Sequence, residues 1–169
     1  MKQLKLINPE NVEEKETHSY LLREAARAVV FDSDNKVALL HSTKNQYYKL
    51  PGGGIEEGES PEAALLRECR EEIGCEVEIT GELGIIVEYR KRDKLKQISY
   101  CYMAKVKGEK GISELTKAEI REGFETAWMS LVEAANVTKV VGVSAVYQAQ
   151  YVVTRDSTFL EEALKIYKD

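Results

Sequence analysis

The sequence lacks any apolar run long enough to cross a bilayer. Its apolar stretches are short, and the one at 25–31 is interrupted by Arg27, whereas a membrane-spanning helix needs about 20 consecutive apolar residues. The first residues, MKQLKL, contain neither the hydrophobic segment nor the cleavage site of a secretory signal. We therefore expect a cytosolic protein that does not associate with a membrane.

Cysteine is scarce, and the three cysteines, Cys69, Cys75 and Cys101, form no C-x-x-C pair. An odd number of cysteines without paired spacing disfavours both a zinc site and a disulfide framework. Each of them stands among apolar neighbours, where a free thiol usually behaves as a small hydrophobe. We expect three buried, reduced thiols.

Basic residues are also in the minority, since 24 Lys and Arg stand against 29 Asp and Glu, for a net charge of −5. Domains that bind nucleic acid usually present a basic face, so this balance argues against a nucleic-acid partner. If the ligand is instead a small anion, an acidic protein needs bound cations at the site. The apolar share of 43% is sufficient for the core of one domain.

The order of the apolar patterns predicts one mixed α/β domain. A turn cluster at 32–35 separates two strand patterns and indicates a hairpin. A polar connection at 108–123 can hold a short helix. Strands are expected at 23–31, 36–41, 47–50, 76–79, 83–89, 97–106 and 126–129, and C-terminal helices at 143–153 and 157–168. Residues 1–22 are interpreted as an N-terminal arm or an edge strand ahead of a domain at 23–169.

A helix with clear end signals is expected in the middle of the chain. Ser60 is a favourable N-cap, Pro61 suits the first helical position, and Gly74 suits the position after the last turn. Apolar residues fall on one face at helical spacing, which predicts that this face packs on the sheet. They are Leu65, Leu66, Cys69 and Ile73.

The polar side of this helix gathers carboxylates. Glu68, Glu71 and Glu72 stand at i, i+3 and i+4, on one face. Like charges at this spacing repel by a few tenths of a kcal/mol per pair, and Arg67, four residues before Glu71, offsets part of the repulsion. Such a cluster alone is usually a solvated surface.

Three glycines, Gly52 to Gly54, come before the helix and change this interpretation. Consecutive glycines allow the backbone to turn sharply and to approach a ligand closely. A glycine-rich loop that leads into a helix N-terminus is also a place where oxyanions bind. The loop, the capped helix and the carboxylates together are far more specific than any one of them.

The segment 53–75 resembles the Nudix box, G-x5-E-x7-R-E-U-x-E-E-x-G-U, where U is a bulky aliphatic residue. Only Cys69 and Cys75 depart from the pattern, at two U positions, and a small hydrophobe should preserve the packing there. The resemblance extends more loosely over about 23–130. Every fixed polar and glycine position matches: Gly53, Glu59, Arg67, Glu68, Glu71, Glu72 and Gly74.

The resemblance implies the Nudix fold, an α/β/α sandwich with a mixed β-sheet and a loop-helix-loop catalytic motif. It also implies hydrolysis of a nucleoside diphosphate linked to another moiety, X, and a small-molecule nucleotide as the substrate. Arg67 would act in catalysis by orienting the cluster through ion pairs, together with Glu59. The metal ligands implied are Glu68, Glu71, Glu72 and the Gly52 carbonyl.

The donor chemistry agrees with this implied site. Carboxylate and carbonyl oxygens are hard ligands, so Mg²⁺ is expected, with Mn²⁺ as the alternative and zinc disfavoured. Such cations would recruit the anionic diphosphate and activate a water molecule. An acidic protein could then bind an anionic substrate.

One more glutamate is expected from a late loop. In the branch of the family that hydrolyses nucleoside triphosphates, a ligand glutamate stands six residues before a tryptophan, and Glu122 has this offset from Trp128. We rank Glu122 first, both as a metal ligand and as a base. Glu125 is ranked second, and Glu119 is kept as a rival. A solvated loop carboxylate is an equally weighted alternative. Glu71 or Glu122 is expected to help deprotonate the attacking water.

Residues that could bind the rest of the substrate are scattered, and none is assigned from the sequence. Aromatic rings can stack on a base and basic side chains can meet phosphates, although packing or surface positions are more usual for each. The candidates are Tyr47, Tyr48, Tyr89, Tyr100, Tyr102, Lys44, Lys49, Arg27 and Arg90. No marker identifies X.

Three functions fit the resemblance. An active pyrophosphohydrolase is favoured over a non-catalytic Nudix-fold nucleotide-binding or regulatory module, because a pure binder has no need to hold repelling carboxylates together. The isomerase chemistry of relatives that act on isoprenoid diphosphates would need a further catalytic cysteine and a departure in the box. A homodimer formed through the N-terminal arm is expected from the habit of the family.

Overall fold

The computed structural model describes residues 1–139 and 147–167. It contains seven strands: β1 (Gln3–Ile7), β2 (Leu21–Phe31), β3 (Val37–Ser42), β4 (Tyr47–Lys49), β5 (Glu76–Arg90), β6 (Leu95–Lys107) and β7 (Phe124–Met129). The α-helices are α1 (Pro61–Ile73), α2 (Lys117–Glu122), α3 (Leu131–Val137) and α4 (Tyr147–Ile166). A 3₁₀ helix, Glu14–Ser19, joins β1 to β2.

The strands form one sheet in the order β1-β5-β6-β2-β3-β4, and β7 also pairs with β3. β1 runs parallel to β5 and β2 runs parallel to β6, while the remaining pairs are antiparallel. The sheet is therefore mixed, as expected. β2 lies inside it, so its residues reach both faces.

The core has two halves, one on each face of the sheet, and β2 shows why. Side chains alternate between faces along a strand. Accordingly Val29 and Phe31 pack in the half beneath α3 and α4, whereas Ala28 and Val30 pack in the half beneath α1. Helices therefore cover both faces. The α/β/α sandwich with a mixed sheet is confirmed.

β5 is one strand of 15 residues, whereas the sequence pattern predicted separate strands at 76–79 and 83–89. Its pairing with β6 shifts register between Ile79 and Gly81 and again between Glu82 and Gly84. Gly84 has a φ of 148°, and a Cβ there would lie 2.7 Å from the Lys2 carbonyl. The bulges interrupt the apolar alternation without ending the strand, and glycine admits the close approach of β1.

The C-terminal prediction of two helices, 143–153 and 157–168, is wrong in the residues that the structure describes. α4 continues through Thr154, Arg155 and Asp156, where the sequence pattern had suggested a break. Arg155 and Asp156 are buried and pair with each other, so polar residues here belong to the core side of the helix. Positions 143–146 and 168 lie outside the described residues. α3 was not predicted.

β1 occupies an edge of the sheet, next to β5. Cys69, Cys75 and Cys101 are free and buried, as expected. Across residues 1–139 and 147–167, no helix combines the length and hydropathy that a membrane crossing requires.

Candidate active site

The glycine loop and α1 form the expected loop-helix unit. The Ser60 hydroxyl accepts a hydrogen bond from the Ala63 amide at 3.2 Å, and Pro61 opens the first turn. Gly74 ends the helix in the left-handed conformation, with φ of 64°. Leu65 and Ile73 face the sheet, so the opposite side of α1 is free to present its glutamates.

Arg67 joins the loop to the helix. Its Nε and Nη2 donate to the two carboxylate oxygens of Glu59, both at 3.0 Å, and Nη2 also donates to the Gly54 carbonyl at 3.0 Å. Nη1 donates to Glu68 at 2.9 Å and to Glu71 at 3.3 Å. The bidentate bond to Glu59 raises the pKa of Arg67. One guanidinium therefore positions three carboxylates and the end of the glycine loop.

Glu72 differs from the other glutamates because it is 2% exposed. Its Oε2 accepts from the Gly52 amide at 2.6 Å, and its Oε1 accepts from Lys49 Nζ at 2.8 Å. Burial raises the pKa of Glu72 to about 7, and the charge of Lys49 opposes that shift. The site thus holds a buried carboxylate beside the loop with one neighbouring cation.

Two glycines of the loop make close contacts, Gly52 with backbone and Gly53 with a carboxylate. A Cβ on Gly53 would lie 2.1 Å from the Glu68 Oε1 atom, and a Cβ on Gly52 would lie 2.1 Å from the Ala26 carbonyl. Gly52 also has a φ of 130°. The Gly53 carbonyl accepts from the Ala26 amide at 3.0 Å, so β2 supports the loop directly under the carboxylate of Glu68.

The glutamates suit a divalent cation in their chemistry, although they are paired with protein cations in this structure. Within the described residues, no three His, Cys, Asp or Glu side chains converge closely enough to form a metal cluster. Glu68 and Glu71 turn toward Arg67, and Glu72 turns toward Lys49. Carboxylate oxygens are nevertheless the donors that Mg²⁺ and Mn²⁺ prefer. Because Gly53 has no Cβ, the carboxylate of Glu68, one of these donors, can lie directly against the loop.

The late-loop glutamates occupy different places. Glu122 ends α2, and its carbonyl accepts from Ser42 Oγ at 3.1 Å. Glu119 lies 3.5 Å from Lys49 Nζ, which also binds Glu72, while its other oxygen caps α2 at Thr116. Both Glu119 and Glu122 line one cavity, which we call the main cavity. Glu125 is exposed on β7 and is absent from the cavity lining.

That cavity has a volume of about 530 Å³ and adjoins the Lys49–Glu72 pair. Among the basic candidates from the sequence, Lys49, Arg27 and Arg90 line it, and Lys44 does not. Tyr47 is the aromatic candidate at its wall. The sequence interpretation missed two basic residues of the lining, Arg23 and Arg155.

The remaining tyrosine candidates have other contacts. Tyr48 stacks on His41 with ring centroids 4.4 Å apart. The Tyr100 hydroxyl donates to Glu24 and the Tyr102 hydroxyl to Glu62. These contacts match the packing and surface positions that were considered more usual. Tyr89 is buried beneath the N-terminal segment with Val12 and Val87.

A comparison with protein-family models decides the family. The NUDIX domain model matches residues 21–149, which is most of the chain. The chain belongs to the Nudix family. Its box therefore lies in the family context that the resemblance indicated, and the loop-helix unit around Arg67 is the Nudix motif.

Individual relatives of this Nudix chain are similar over shorter stretches. The RNA pyrophosphohydrolase of Sulfurovum sp. (strain NBC37-1) is 56% identical over 43 residues, 25% of this chain and 27% of that protein. The 8-oxo-dGTP diphosphatase of Proteus vulgaris is 43% identical over 56 residues, 31% of this chain and 50% of that protein. The chain thus spans half or less of the length of these curated relatives.

The fold of the Nudix chain also has solved counterparts. The solution structure of the E. coli ORF135 protein superposes with a TM-score of 0.61 at 21% sequence identity. The match covers 88% of this chain and 93% of the other. At this identity the likeness concerns the fold alone.

Proposed function

We propose that the protein is a metal-dependent Nudix pyrophosphohydrolase that cuts a nucleoside diphosphate linked to X. The main support is the buried carboxylate of Glu72, held against the Gly52 amide at 2.6 Å. On the same helix, Glu68 stands one turn before Glu72 and Glu71 directly precedes it, and both accept hydrogen bonds from Arg67. Repelling carboxylates held together in this way suit a cation site for an anionic substrate.

The cation would be Mg²⁺ or Mn²⁺, held by Glu68, Glu71, Glu72, the Gly52 carbonyl and Glu122. When bound, it would neutralise the diphosphate and lower the pKa of an attacking water. The protein cations that now pair with the glutamates, Arg67 and Lys49, would give up part of their contacts.

The chain's own residues would do the remaining work. Glu71 or Glu122 would accept a proton from the attacking water. The oxygen of that water would form a bond to phosphorus while the bridging P–O bond breaks. Arg67 would position Glu68 and Glu71 and act through them. The products would be a nucleoside monophosphate and either a phosphorylated X or pyrophosphate.

Nucleoside triphosphates or related nucleotides are the substrates we propose first. One relative named above, the 8-oxo-dGTP diphosphatase, is named for a nucleoside triphosphate substrate. A free nucleotide is favoured over RNA because the chain carries a net charge of −5. A cytosolic location, a homodimer and the division between 1–22 and 23–169 stay predictions.

A substrate screen tests the proposal. The purified protein would be incubated with Mg²⁺, Mn²⁺ or EDTA and a panel of deoxynucleoside triphosphates, oxidised nucleoside triphosphates, ADP-ribose, NADH, sugar nucleotides and dinucleoside polyphosphates. We expect metal-dependent release of a monophosphate product that EDTA abolishes. Binding of a panel member without any turnover would instead support the non-catalytic module.

A further inference from the structure

Four arginines line the main cavity on the face of the sheet that α4 covers, and we name them the arginine cluster: Arg23, Arg27, Arg90 and Arg155. Arg23 and Arg27 are four residues apart on β2 and so point to the same face. Arg90 ends β5, and Arg155 comes from the middle of α4. Distant parts of the chain therefore meet at one wall.

Two members of the cluster have carboxylate partners. Arg90 Nε donates to Glu88 Oε2 at 2.8 Å. Arg155 Nε donates to Asp156 Oδ1 at 2.6 Å, and its Nη1 lies 3.6 Å from Glu88 Oε1. Glu88 and Asp156 are both fully buried. These two carboxylates form ion pairs with Arg90 and Arg155, and within the described residues neither forms one with the other two arginines.

Arg27 is the first arginine without a counter-ion. It is 5% exposed, donates one hydrogen bond to the Ala26 carbonyl at 3.0 Å, and its Nε has no acceptor. No ion pair joins it to a carboxylate within the described residues. Burial, with repulsion from Arg155, lowers the pKa of Arg27 to about 10, although the charges of Asp156 and Glu72 oppose that shift. Burying a guanidinium without compensation is unfavourable, which is the arrangement expected where a ligand supplies the anion.

Arg23 is the second arginine without a carboxylate partner among the described residues, and it lies at the exposed rim of the cavity. Its Nη1 donates to the neutral Gln97 Oε1 at 2.9 Å, and Gln97 in turn donates to Glu88 and Ser99. A Cβ on Gly54 would lie 3.6 Å from Arg23 Nη2. The arginine cluster therefore reaches the glycine loop of the proposed reaction site.

Among the described residues, the carboxylates at the cavity wall form no ion pair with these two arginines. Glu119 lies 3.5 Å from Lys49, and Glu122 is carried by the same short helix. Asp93 lines the cavity from the turn after β5, yet in the described part of the chain it forms no ion pair with an arginine. The cavity thus has glutamates on its α2 side and arginines on its β2 and α4 side.

We propose that the arginine cluster binds a phosphate group of the substrate in addition to the diphosphate that is cut, which makes the substrate a nucleotide with three or more phosphates. This inference rests on the proposed function. Guanidinium groups match phosphate oxygens in bidentate geometry. Two guanidinium groups without an ion-pair partner among the described residues also match the charge of about −1.5 to −2 on a phosphate monoester.

Binding without a metal tests the proposal. Isothermal titration calorimetry in EDTA would measure the affinity for inorganic tripolyphosphate of the wild type, Arg27→Gln, Arg23→Gln and the control Lys107→Gln. Lys107 is exposed on β6 and is absent from the cavity lining, so its change removes the same charge elsewhere. We expect each arginine variant to bind about tenfold more weakly or worse, as for a lost charge-assisted hydrogen bond, and the control to stay within about twofold of wild type.

The outcomes that overturn the proposal are equally definite. The proposal is rejected if both arginine variants bind tripolyphosphate with wild-type affinity. It is also rejected if Lys107→Gln loses as much affinity as they do, or if the wild type does not bind. Because Arg27 is buried, its variant is compared only after circular dichroism shows that it folds. If Arg27→Gln does not fold, Arg23→Gln, at an exposed position, decides the question alone.

A second measurement links the cluster to the substrate class. In EDTA, we expect ATP to bind more tightly than ADP-ribose, which lacks a third phosphate, and Arg23→Gln to remove that preference. Loss of tripolyphosphate binding in the variants, without turnover of any nucleotide by the metal-loaded wild type, would reject the proposed hydrolase and keep the anion site. Turnover of a nucleotide by the metal-loaded wild type, with unchanged tripolyphosphate binding in the arginine variants, would support the hydrolase and reject the anion site.

Discussion

The backbone amide of Gly52 donates a hydrogen bond of 2.6 Å to Oε2 of Glu72. This bond ties the glycine loop to the last turn of α1. Because Glu72 is buried and its second oxygen binds Lys49, the carboxylate stays beside the loop. The proposed metal site depends on that position.

Replacing the proposed metal ligands should remove activity while the fold is kept. For Glu71→Gln or Glu72→Gln we expect kcat to fall by about 100-fold or more, since losing one charge-stabilising group at a reaction centre has effects of about that size. Steady-state kinetics with Mg²⁺ and thermal unfolding would measure both properties. Glu78→Gln, an exposed change on β5, serves as the control, and near wild-type turnover in Glu71→Gln and Glu72→Gln would contradict the assignment.

Gly53→Ala tests the close approach of the loop to Glu68. The new methyl group would lie 2.1 Å from Glu68 Oε1, so the flexible carboxylate must move while the backbone stays. We expect kcat to fall at least tenfold and the melting temperature to change little. Gly81→Ala is a matched control, because a Cβ there meets no atom within 4 Å. Equal activity in both alanine variants would show that the position of Glu68 does not matter.

Arg67→Lys keeps the positive charge and removes the planar fork. A lysine cannot bind both oxygens of Glu59 and the Gly54 carbonyl together. We expect kcat to fall more than KM changes, because the glutamates lose their positions. Arg70→Lys, whose partner Glu76 is also exposed, should behave like wild type. If the two lysine variants have the same kcat, Arg67 has no positioning role.

Asp156→Ala should destabilise the fold. It would leave Arg155 buried with one distant carboxylate and remove the acceptor of the Leu50 amide, which binds Asp156 Oδ2 at 2.9 Å. We expect the free energy of unfolding in urea to fall by about 3–5 kcal/mol, the usual effect of breaking a buried pair. Glu161→Ala breaks an exposed pair with Lys139 and should cost about 1 kcal/mol or less. A similar loss in both variants would argue against a structural role for the buried pair.

Local features of this chain were predictable because their causes are local. The ends of α1 follow from Ser60, Pro61 and Gly74, whose effects act within one turn. The strands near 31 and 37 follow from the turn between them. Predictions failed where tertiary contacts override the local pattern. The polar Arg155 and Asp156 suggested a break in a helix, but both are buried within α4. The bulges of β5 interrupt its apolar alternation, so the pattern indicated two strands where there is one.

The position of α1, the spacing of Glu68, Glu71 and Glu72 along it and the glycines before it could all be predicted from the amino-acid sequence. These properties depend on residues close together in the chain, and helix geometry converts their spacing directly into a common face. Which glutamate is buried and which cations surround the cavity depend instead on how the elements pack together. Arg27 and Arg155 are 128 positions apart and face one space because the sheet brings β2 beneath α4, an arrangement that no local pattern encodes.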